Sequence, residues 1–339
     1  MTDLDPAVGQ QSRSAPRQSD RGDLGGSIGS AVVPLIEGSG LTKRFGDIVA
    51  VDGIDFRVEA GETFGFLGPN GAGKSSTMRM VGCISPPSGG HLRVLGLDPA
   101  VDGPEIRSRL GSVPQEDNLD LELSVWDNLM IYGRYFGLPR NVVRARAAEL
   151  LDFFQLADRK DDRVDPLSGG MKRRLTVARG LINEPDLFLL DEPTTGLDPQ
   201  ARHLLWERLY QLKRRGVTIV LTTHYMDEAE RLCDRLVIMD GGRIAAEGSP
   251  RELIRRYSTR DVVELRFLDP ADQEEAFAKV DGAAERVERL TDRIVLYSDD
   301  GDATVDVLQA RGVDTESAYV RRSTLEDVFL TLTGRSLDE

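Results

Sequence analysis

A short glycine-rich stretch constrains the fold of this chain more than any other feature. Residues 68–76 read Gly-Pro-Asn-Gly-Ala-Gly-Lys-Ser-Ser and fit the phosphate-binding loop pattern G-x-x-x-x-G-K-[ST]. Glycines let successive backbone N–H groups turn inward and surround an anion. The pattern therefore predicts a nucleotide-phosphate site. Its predicted binding residues are Gly68, Asn70, Gly71, Gly73, Lys74, Ser75 and Ser76.

The residues on either side place this loop between a strand and a helix. Residues 63–67 form an apolar run that predicts a buried strand, and residues 75–84 carry apolar side chains at helical spacing. In that setting Lys74 would neutralise the β- and γ-phosphates, and the hydroxyl of Ser75 would ligate Mg²⁺. For the loop alone, the alternative is a glycine-rich turn that carries Lys-Ser by chance.

Charge and cysteine content narrow the class of protein. The net charge of −14 repels phosphodiester backbones, so we expect no nucleic-acid partner. The two cysteines, Cys83 and Cys233, lie in apolar stretches that we expect to be helical. Two buried thiols in a reducing cytosol are favoured over a disulfide or a metal cluster.

We expect neither a membrane-spanning segment nor a signal peptide, so any action on a membrane would need another chain.

The sequence pattern changes twice along the 339 residues, which is long for a single domain. Residues 1–33 are poor in aromatic and β-branched side chains, and we expect a disordered tail. Residues 34–257 mix strands and helices, with a helical subdomain at about 116–166 that would begin with a capping box at Ser124. Residues 258–339 predict a small α+β accessory domain of βαββαβ order plus a helix capped by Ser323 and Glu326.

Polar side chains follow three of the predicted buried strands. Gln115 ends one strand, Asp191 and Glu192 end the next, and His224 follows a third. Ligands of open α/β sheets bind at the carboxyl ends of strands, so we expect these side chains to meet at the phosphate loop. The alternative is solvated acids and a structural histidine. The predicted catalytic residues are Lys74, Gln115, Glu192 and His224, and the predicted metal ligands are Ser75, Gln115 and Asp191.

Roles follow from the chemistry of these groups. Asp191 would hold Mg²⁺ through its hydration shell, and Glu192 would polarise the attacking water as a general base. Gln115 would reach Mg²⁺ or that water, and His224 would contact the γ-phosphate.

A second phosphate-binding device lies further along the chain. Ser168, Gly169 and Gly170 open an amphipathic helix, and they would present free N–H groups and a hydroxyl at the positive end of its dipole. One nucleotide does not need two such devices from one subunit. We therefore predict that this helix serves the nucleotide bound to a second copy of the chain.

An aromatic residue, Phe45, lies in the polar stretch 43–47. We expect this stretch to form a turn between short strands at 35–38, 48–51 and 54–58. The ring would either plug the core or stack on a purine.

Taken in order, these motifs resemble the ATP-binding subunit of ABC transporters over about residues 35–257. The motifs are the phosphate loop, Gln115, Leu-Ser-Gly-Gly-Met at 167–171, Leu-Leu-Asp-Glu-Pro at 189–193, Gly-Leu-Asp at 196–198 and His224.

The resemblance implies an α/β P-loop NTPase core with an antiparallel β subdomain and a helical subdomain. It implies two ATP molecules with Mg²⁺, sandwiched between two copies that close on binding and open after hydrolysis. Phe45 would stack on adenine, and Asp198 would belong to the loop that contacts the second copy. Ser168 and Gly170 would contact the γ-phosphate of the ATP on that copy.

One branch of the family is the most similar. Met171 replaces the commoner glutamine, and with Lys-Arg-Arg at 172–174 and the stretches 114–120 and 324–329 it resembles the branch of daunorubicin-resistance and nodulation-factor exporter ATPases. This implies a separately encoded integral membrane permease, coupled through the helical subdomain and the residues after Gln115, and a peripheral position at the cytoplasmic face of the cell membrane.

Two other functions stay open. The C-terminal domain would suit an importer ATPase with a regulatory module. A non-transport ABC ATPase acting on ribosomes or DNA is disfavoured by the single cassette, the absence of heptads and the acidic charge.

Overall fold

Three separate sheets organise the part of the chain that the structure describes. The computed structural model describes residues 34–334, and the tail predicted for residues 1–33 lies outside this range. The strands are β1 (Ile36–Phe45), β2 (Ile48–Val58), β3 (Thr63–Leu67), β4 (Gly89–Val94), β5 (Leu110–Val113), β6 (Leu187–Asp191), β7 (Thr218–Thr223), β8 (Arg235–Asp240), β9 (Arg243–Gly248), β10 (Asp261–Arg266), β11 (Arg286–Arg289), β12 (Arg293–Ser298) and β13 (Ser317–Arg322).

The helices lie against these sheets. They are α1 (Lys74–Val81), α2 (Gly103–Ser108), α3 (Val125–Tyr135), α4 (Arg140–Phe153), α5 (Gly169–Gly180), α6 (Pro199–Arg214), α7 (Met226–Leu232), α8 (Pro250–Tyr257), α9 (Pro270–Lys279), α10 (Gly301–Ala310) and α11 (Leu325–Thr333), with a 3₁₀ turn at Ala157–Arg159. In the described part of the chain, none of the helices combines the length and the apolar character needed to cross a bilayer.

The central sheet has the order β5-β6-β7-β3-β8-β9, and it is parallel except for β9. Every residue of β3 and β7 is buried, as expected for a parallel sheet that is covered on both faces. Along β6, Phe188 and Leu190 face one hydrophobic core and Leu187 and Leu189 face the other, the two-residue period of a strand. The carboxyl ends of β6, β7 and β3 therefore lie side by side at one edge. The predicted α/β class and its P-loop core are confirmed.

The second sheet has the order β2-β1-β4 and is antiparallel. Its strand pairing shows that the turn predicted around Phe45 is wrong. β1 continues to Phe45, which pairs with Ile48, so only Gly46 and Asp47 form the turn. β2 is one strand rather than two, because its pairing with β1 is maintained across a register shift. Phe45 is 50% exposed, and this excludes a role as a core plug.

The helical subdomain consists of α3 and α4, which pack on each other and on α5. Ser124 caps α3 as predicted, since its Oγ accepts a hydrogen bond of 3.0 Å from the Asp127 N–H. Leu129, Val143 and Leu151 are buried in the hydrophobic core that the subdomain shares with α5 and with one face of the central sheet.

The prediction for the cysteines was right only in part. Cys233 is buried as predicted, but it follows the last residue of α7 with an extended backbone and is not helical. Burial raises the pKa of its thiol. Cys83 is only half-buried and not helical, because α1 ends at Val81. Its backbone is left-handed, with φ of 55°.

The third sheet, of order β11-β12-β10-β13, is antiparallel. The chain order β10-α9-β11-β12-α10-β13 followed by α11 confirms the predicted βαββαβ arrangement with an added helix. Its own small core contains Val263, Leu296 and Leu308. The domain boundary predicted after residue 257 falls between α8 and β10, and it stays a prediction.

The last helix packs its apolar face on α7 and α8, and its polar side chains bond to the third sheet through Arg321 and Arg286. Leu325, Val328 and Phe329 are fully buried, and they belong to the core that also contains residues of α6 and α7. The predicted caps were wrong by one residue, because Thr324 and Asp327 form the capping box. Asp327 Oδ2 accepts from the Thr324 N–H at 2.8 Å.

Candidate active site

The phosphate loop lies between β3 and α1, and the backbones of β2 and β8 pack closely against two of its glycines. Gly73 precedes α1 with φ of 99°, and a Cβ atom there would lie 2.4 Å from the Ala50 carbonyl oxygen. At Gly68, a Cβ atom would lie 2.3 Å from the Met239 carbonyl oxygen. Both positions therefore require glycine, and β2 and β8 fix the path of the loop.

Lys74 extends across the loop that precedes it. Its side chain is 4% exposed, and its Nζ donates to the carbonyls of Gly68 at 2.7 Å and Pro69 at 2.9 Å. The same Nζ lies 3.6 Å from Glu192 Oε1. Burial lowers the pKa of the Lys74 ammonium, and the charges of Glu192 and Asp191 oppose that shift.

Two hydroxyl groups bond to the carboxylate of Asp191. Ser75 Oγ donates to Asp191 Oδ1 at 3.0 Å, and Thr222 Oγ1 donates to the same oxygen at 2.5 Å. A serine hydroxyl next to a carboxylate is the oxygen donor set that Mg²⁺ prefers at nucleotide phosphates. Ser75 and Asp191 therefore fit a magnesium ion.

Glu192, the residue after β6, is the centre of the site. Its side chain is 6% exposed, and three groups approach its carboxylate: His224 Nδ1 at 3.3 Å from Oε1, and Gln115 Nε2 and Thr195 Oγ1 at 3.3 and 3.1 Å from Oε2. The contact with His224 lowers the pKa of Glu192 most, and burial opposes it. The carboxylate is thus kept in the ionised form that a general base requires.

The backbone of Glu192 is strained. Its φ is 46°, in the left-handed region that non-glycine residues avoid, at a cost of about 1–3 kcal/mol. Its N–H points back to β7, where Thr222 Oγ1 accepts at 3.0 Å. This geometry directs the side chain toward Lys74.

The structure thus brings together six of the predicted residues from four separate segments. They are Lys74, Ser75, Gln115, Asp191, Glu192 and His224. Phe45 lies at the β1–β2 turn, where Lys43 Nζ is 4.9 Å from its ring centroid. Within residues 34–334, no hydrogen bond or ion pair joins Phe45 to the cluster.

The first residues of α5 make no hydrogen bond to the side chains of these six residues in the described part of the chain. Ser168 caps α5, and its Oγ accepts from the Met171 N–H at 3.3 Å. Ser168 and Gly169 are exposed, and no hydrogen bond in the described range joins them to the cluster around Glu192. Asp198 caps α6, accepting from the Ala201 N–H at 2.9 Å. Gly170 lies against this first turn, where a Cβ atom would be 2.7 Å from Ala201 Cβ.

Sequence reasoning missed three residues of the site, namely Thr222, Thr195 and Arg173. Thr222 pairs in register with Asp191 across β6 and β7, so strand alignment could have found it. Arg173 is buried on the same helical face as Val177 and Gly180. An arginine at an apolar position is rare unless it is paired, and this was the signal available for it.

Comparison with known proteins gives the family context. Residues 51–195 match the profile described as "ABC transporter", and residues 271–334 match "Nodulation factor export protein NodI, C-terminal domain". A Nod factor export ATP-binding protein I from Ralstonia nicotianae is 48% identical over 318 residues, which are 92% of this chain and 97% of the relative. A protein of the same name from Rhizobium etli is 47% identical over 305 residues, 90% of this chain and 95% of the relative.

Two solved structures share the fold of the cassette. The cbiO1 protein from Clostridium perfringens, part of the ABC transporter complex cbiONQ, has a TM-score of 0.61 at 29% identity, covering 66% of this chain and 91% of that one. The dimeric ATP-binding cassette MJ0796 bound to ADP and Pi has a TM-score of 0.58 at 26% identity, covering 63% and 98%.

Proposed function

Since this chain belongs to the ABC transporter family of ATP-binding subunits and is an ATPase, we propose that it powers an exporter through a separate membrane permease. The observation that supports hydrolysis most directly is the set of contacts around Glu192, with Lys74, Gln115 and His224 close to one ionised carboxylate. The relatives are named as export proteins, which favours export over import and over a non-transport role.

In this proposal, each residue of the cluster has a task. The N–H groups of the loop and Lys74 bind the phosphates of ATP. Ser75, Asp191 and Gln115 would hold Mg²⁺, which when bound would supply positive charge to stabilise the charge of the phosphates. Glu192 accepts a proton from the attacking water, and His224 orients Glu192 and contacts the γ-phosphate.

The half-exposed ring of Phe45 is available to stack on adenine. Ser168, Gly169 and Gly170 would bind the γ-phosphate of the ATP held by a second copy, and the loop of Asp198 would contact that copy. The exposure of Ser168 and Gly169 at the start of α5, and the dimeric state of the related cassette, support this arrangement.

An apolar groove is available to a permease beside the loop of Gln115. It has a volume of about 710 Å³ and lies between the helical subdomain and Pro114. Its rim carries exposed apolar side chains, namely Ile84, Ile131 and Tyr135, which mark interaction sites when they cluster. A permease segment in this groove would contact the loop that carries Gln115, so that movements of that loop and of the permease would be coupled. The same contact would hold the chain at the cytoplasmic face of the membrane.

A substitution in the groove tests the permease. We expect the wild-type chain, isolated from native membranes, to carry an integral membrane protein whose presence raises its ATPase rate. Tyr135→Asp, at a side chain that is 80% exposed, should lose that protein while its own basal ATPase remains. Tyr319→Asp, at a position 63% exposed on β13, is the matched control and should keep it. The same loss from both variants would contradict the groove assignment.

A further inference from the structure

Arg173 connects α5 to the loops that carry the catalytic side chains. It lies one turn inside α5 and is 3% exposed. Its guanidinium donates to six oxygen atoms. They are Pro193 O at 2.7 Å from Nε, Pro114 O at 2.6 Å, Gln115 O at 3.2 Å and Asp117 Oδ1 at 3.2 Å from Nη1, and Asp191 O at 3.1 Å and Glu192 O at 3.0 Å from Nη2.

The choice of acceptors distinguishes this arginine from an ordinary ion pair. Five of the six are main-chain carbonyls, and only Asp117 contributes a charge. These carbonyls belong to two segments that leave the central sheet at the ends of β5 and β6. Backbone carbonyls in such loops have no strand partner, and buried ones need a donor. Arginine supplies five N–H groups in a planar fork of fixed geometry.

One of the two segments, the one that follows β6, contains the strained residue Glu192. Glu192 has its φ at 46°, and such a conformation persists only when the surroundings determine it from several sides. Thr222 binds the Glu192 N–H from β7. Arg173 binds the carbonyls of Glu192 and of both neighbours, Asp191 and Pro193. The strained residue is therefore held at its nitrogen by the sheet and at its carbonyl by α5.

The other segment begins at Gln115. Arg173 Nη1 binds the carbonyls of Pro114 and Gln115, while the Gln115 side chain reaches Glu192 Oε2. Thus the backbones of Gln115 and Glu192 are joined by one guanidinium on one side, and their side chains meet on the other.

We propose that Arg173 is a positioning residue for ATP hydrolysis, which fixes the backbones of Gln115 and Glu192 relative to each other so that their side chains converge. This rests on the roles proposed for those two residues. Arg173 itself touches none of the reacting groups. A lysine cannot replace it, because a single ammonium does not span acceptors on two loops.

The test is the pair Arg173→Lys and Arg174→Lys in the full chain. Arg174 is the matched control, since its Nη1 donates to Phe154 O and Gln155 O in the helical subdomain. We expect Arg173→Lys to lower kcat about a hundredfold, the effect of displacing a catalytic group by about 1 Å, while the KM for ATP and the ATP bound per chain stay at wild-type values. Arg174→Lys should keep the wild-type kcat.

A role in folding alone gives a different result. In that case ATP bound per chain and kcat would fall together, whereas kcat per bound ATP would be unchanged, and this outcome overturns the proposal. Arg173→Gln, with a planar amide, is the second variant if the lysine variant does not fold, and it should show the same split.

A double substitution locates the effect. If Arg173 acts through Gln115 and Glu192, the loss in Arg173→Lys with Gln115→Ala should be smaller than the product of the single losses, because coupled residues are not additive. Independent, multiplying losses would contradict the proposal. A wild-type chain without ATP turnover would overturn the proposed function itself. Normal turnover that depends on Glu192 but not on Arg173 would overturn this inference alone.

Discussion

The helices α1 and α5 both begin at a glycine-rich stretch, with Gly73 before α1 and Ser168 followed by two glycines at α5, but their first residues have different contacts. At the start of α1, Lys74 and Ser75 already contact Asp191 and Glu192 of the same chain. At the start of α5, Ser168 and Gly169 are exposed and bond to none of these groups within the described range. The contrast teaches that the residues proposed to be catalytic meet at the start of α1, whereas the start of α5 makes no contact with them and is the part we propose for a second copy.

The interior of α5 adds a second lesson. One turn from its exposed start, Arg173 is tied to the backbones of Gln115 and Glu192. The helix that would be offered to a second copy is thus anchored to the catalytic loops of its own chain.

Among the substitutions considered, removal of the proposed general base near α1 should lower the ATPase rate most. We expect Glu192→Gln to lower kcat by about 10²–10⁴-fold, the range for loss of a general base, without loss of ATP binding, because the loop and Lys74 remain. Steady-state ATPase rates and equilibrium ATP binding measure the two quantities. A variant that still turns over at the wild-type rate would assign the base to another group.

Blocking the start of α5 should act on hydrolysis alone. Ser168→Arg should lower kcat by about 10²–10³-fold, as for loss of a transition-state donor, while each monomer binds ATP as before. Ser249→Arg is the matched control, since Ser249 caps α8 in the same way. It should lower stability by about 1 kcal/mol and leave turnover unchanged. Loss of ATP binding in Ser168→Arg would instead assign α5 to the site of its own chain.

The pH profile tests the contact between His224 and Glu192. His224 is the main cause of the lowered pKa of Glu192, so His224→Ala should raise that pKa. A higher pKa means that protonation removes the base earlier as pH falls, and the acid limb of kcat should move to higher pH. His203→Ala, on an exposed residue of α6, should leave the limb in place. An unchanged limb in His224→Ala would mean that another group sets the pKa.

The smallest effect is expected at the fifth position of the Leu-Ser-Gly-Gly-Met motif. Met171 is partly buried against the core, and its contribution to the cap is its backbone N–H. Met171→Gln keeps that N–H, so kcat and KM should change by less than about twofold, as for ordinary partly exposed substitutions. A change of tenfold or more would show that the side chain, rather than the backbone, sets the strength of this helix end.

Much of the site could be predicted from the sequence because its groups follow local rules. The residues of the phosphate-binding loop around Lys74 are consecutive in the sequence. Asp191 and His224 follow apolar strands whose carboxyl ends meet at one edge of the sheet. The errors concern strand pairing and contacts that a local sequence pattern does not show. The turn predicted around Phe45 is wrong because β1 pairs with β2 up to that residue. The six acceptors of Arg173 come from segments about 20 to 60 residues away, which no local pattern displays.

Short helices are the other part that the sequence indicated poorly, because α2 was not predicted and α7 was predicted only as a helical stretch around Cys233. α2 has six residues and α7 has seven, and neither is long enough to show a clear helical period. The burial of Glu228 on α7, where its Oε1 accepts from Thr194 at 2.8 Å and from Trp206 at 2.9 Å, depends on packing against α6. These elements are defined by tertiary contacts rather than by local propensity.

The mass of the Glu192→Gln variant in the presence of ATP tests most directly whether two copies share each nucleotide. By light scattering after size-exclusion chromatography, we predict twice the chain mass of 37.4 kDa for Glu192→Gln with ATP. We predict a single chain mass when Ser168→Arg is added, although ATP remains bound. A Glu192→Gln chain that stays monomeric with ATP bound, or a dimer that persists with Ser168→Arg, would contradict the account.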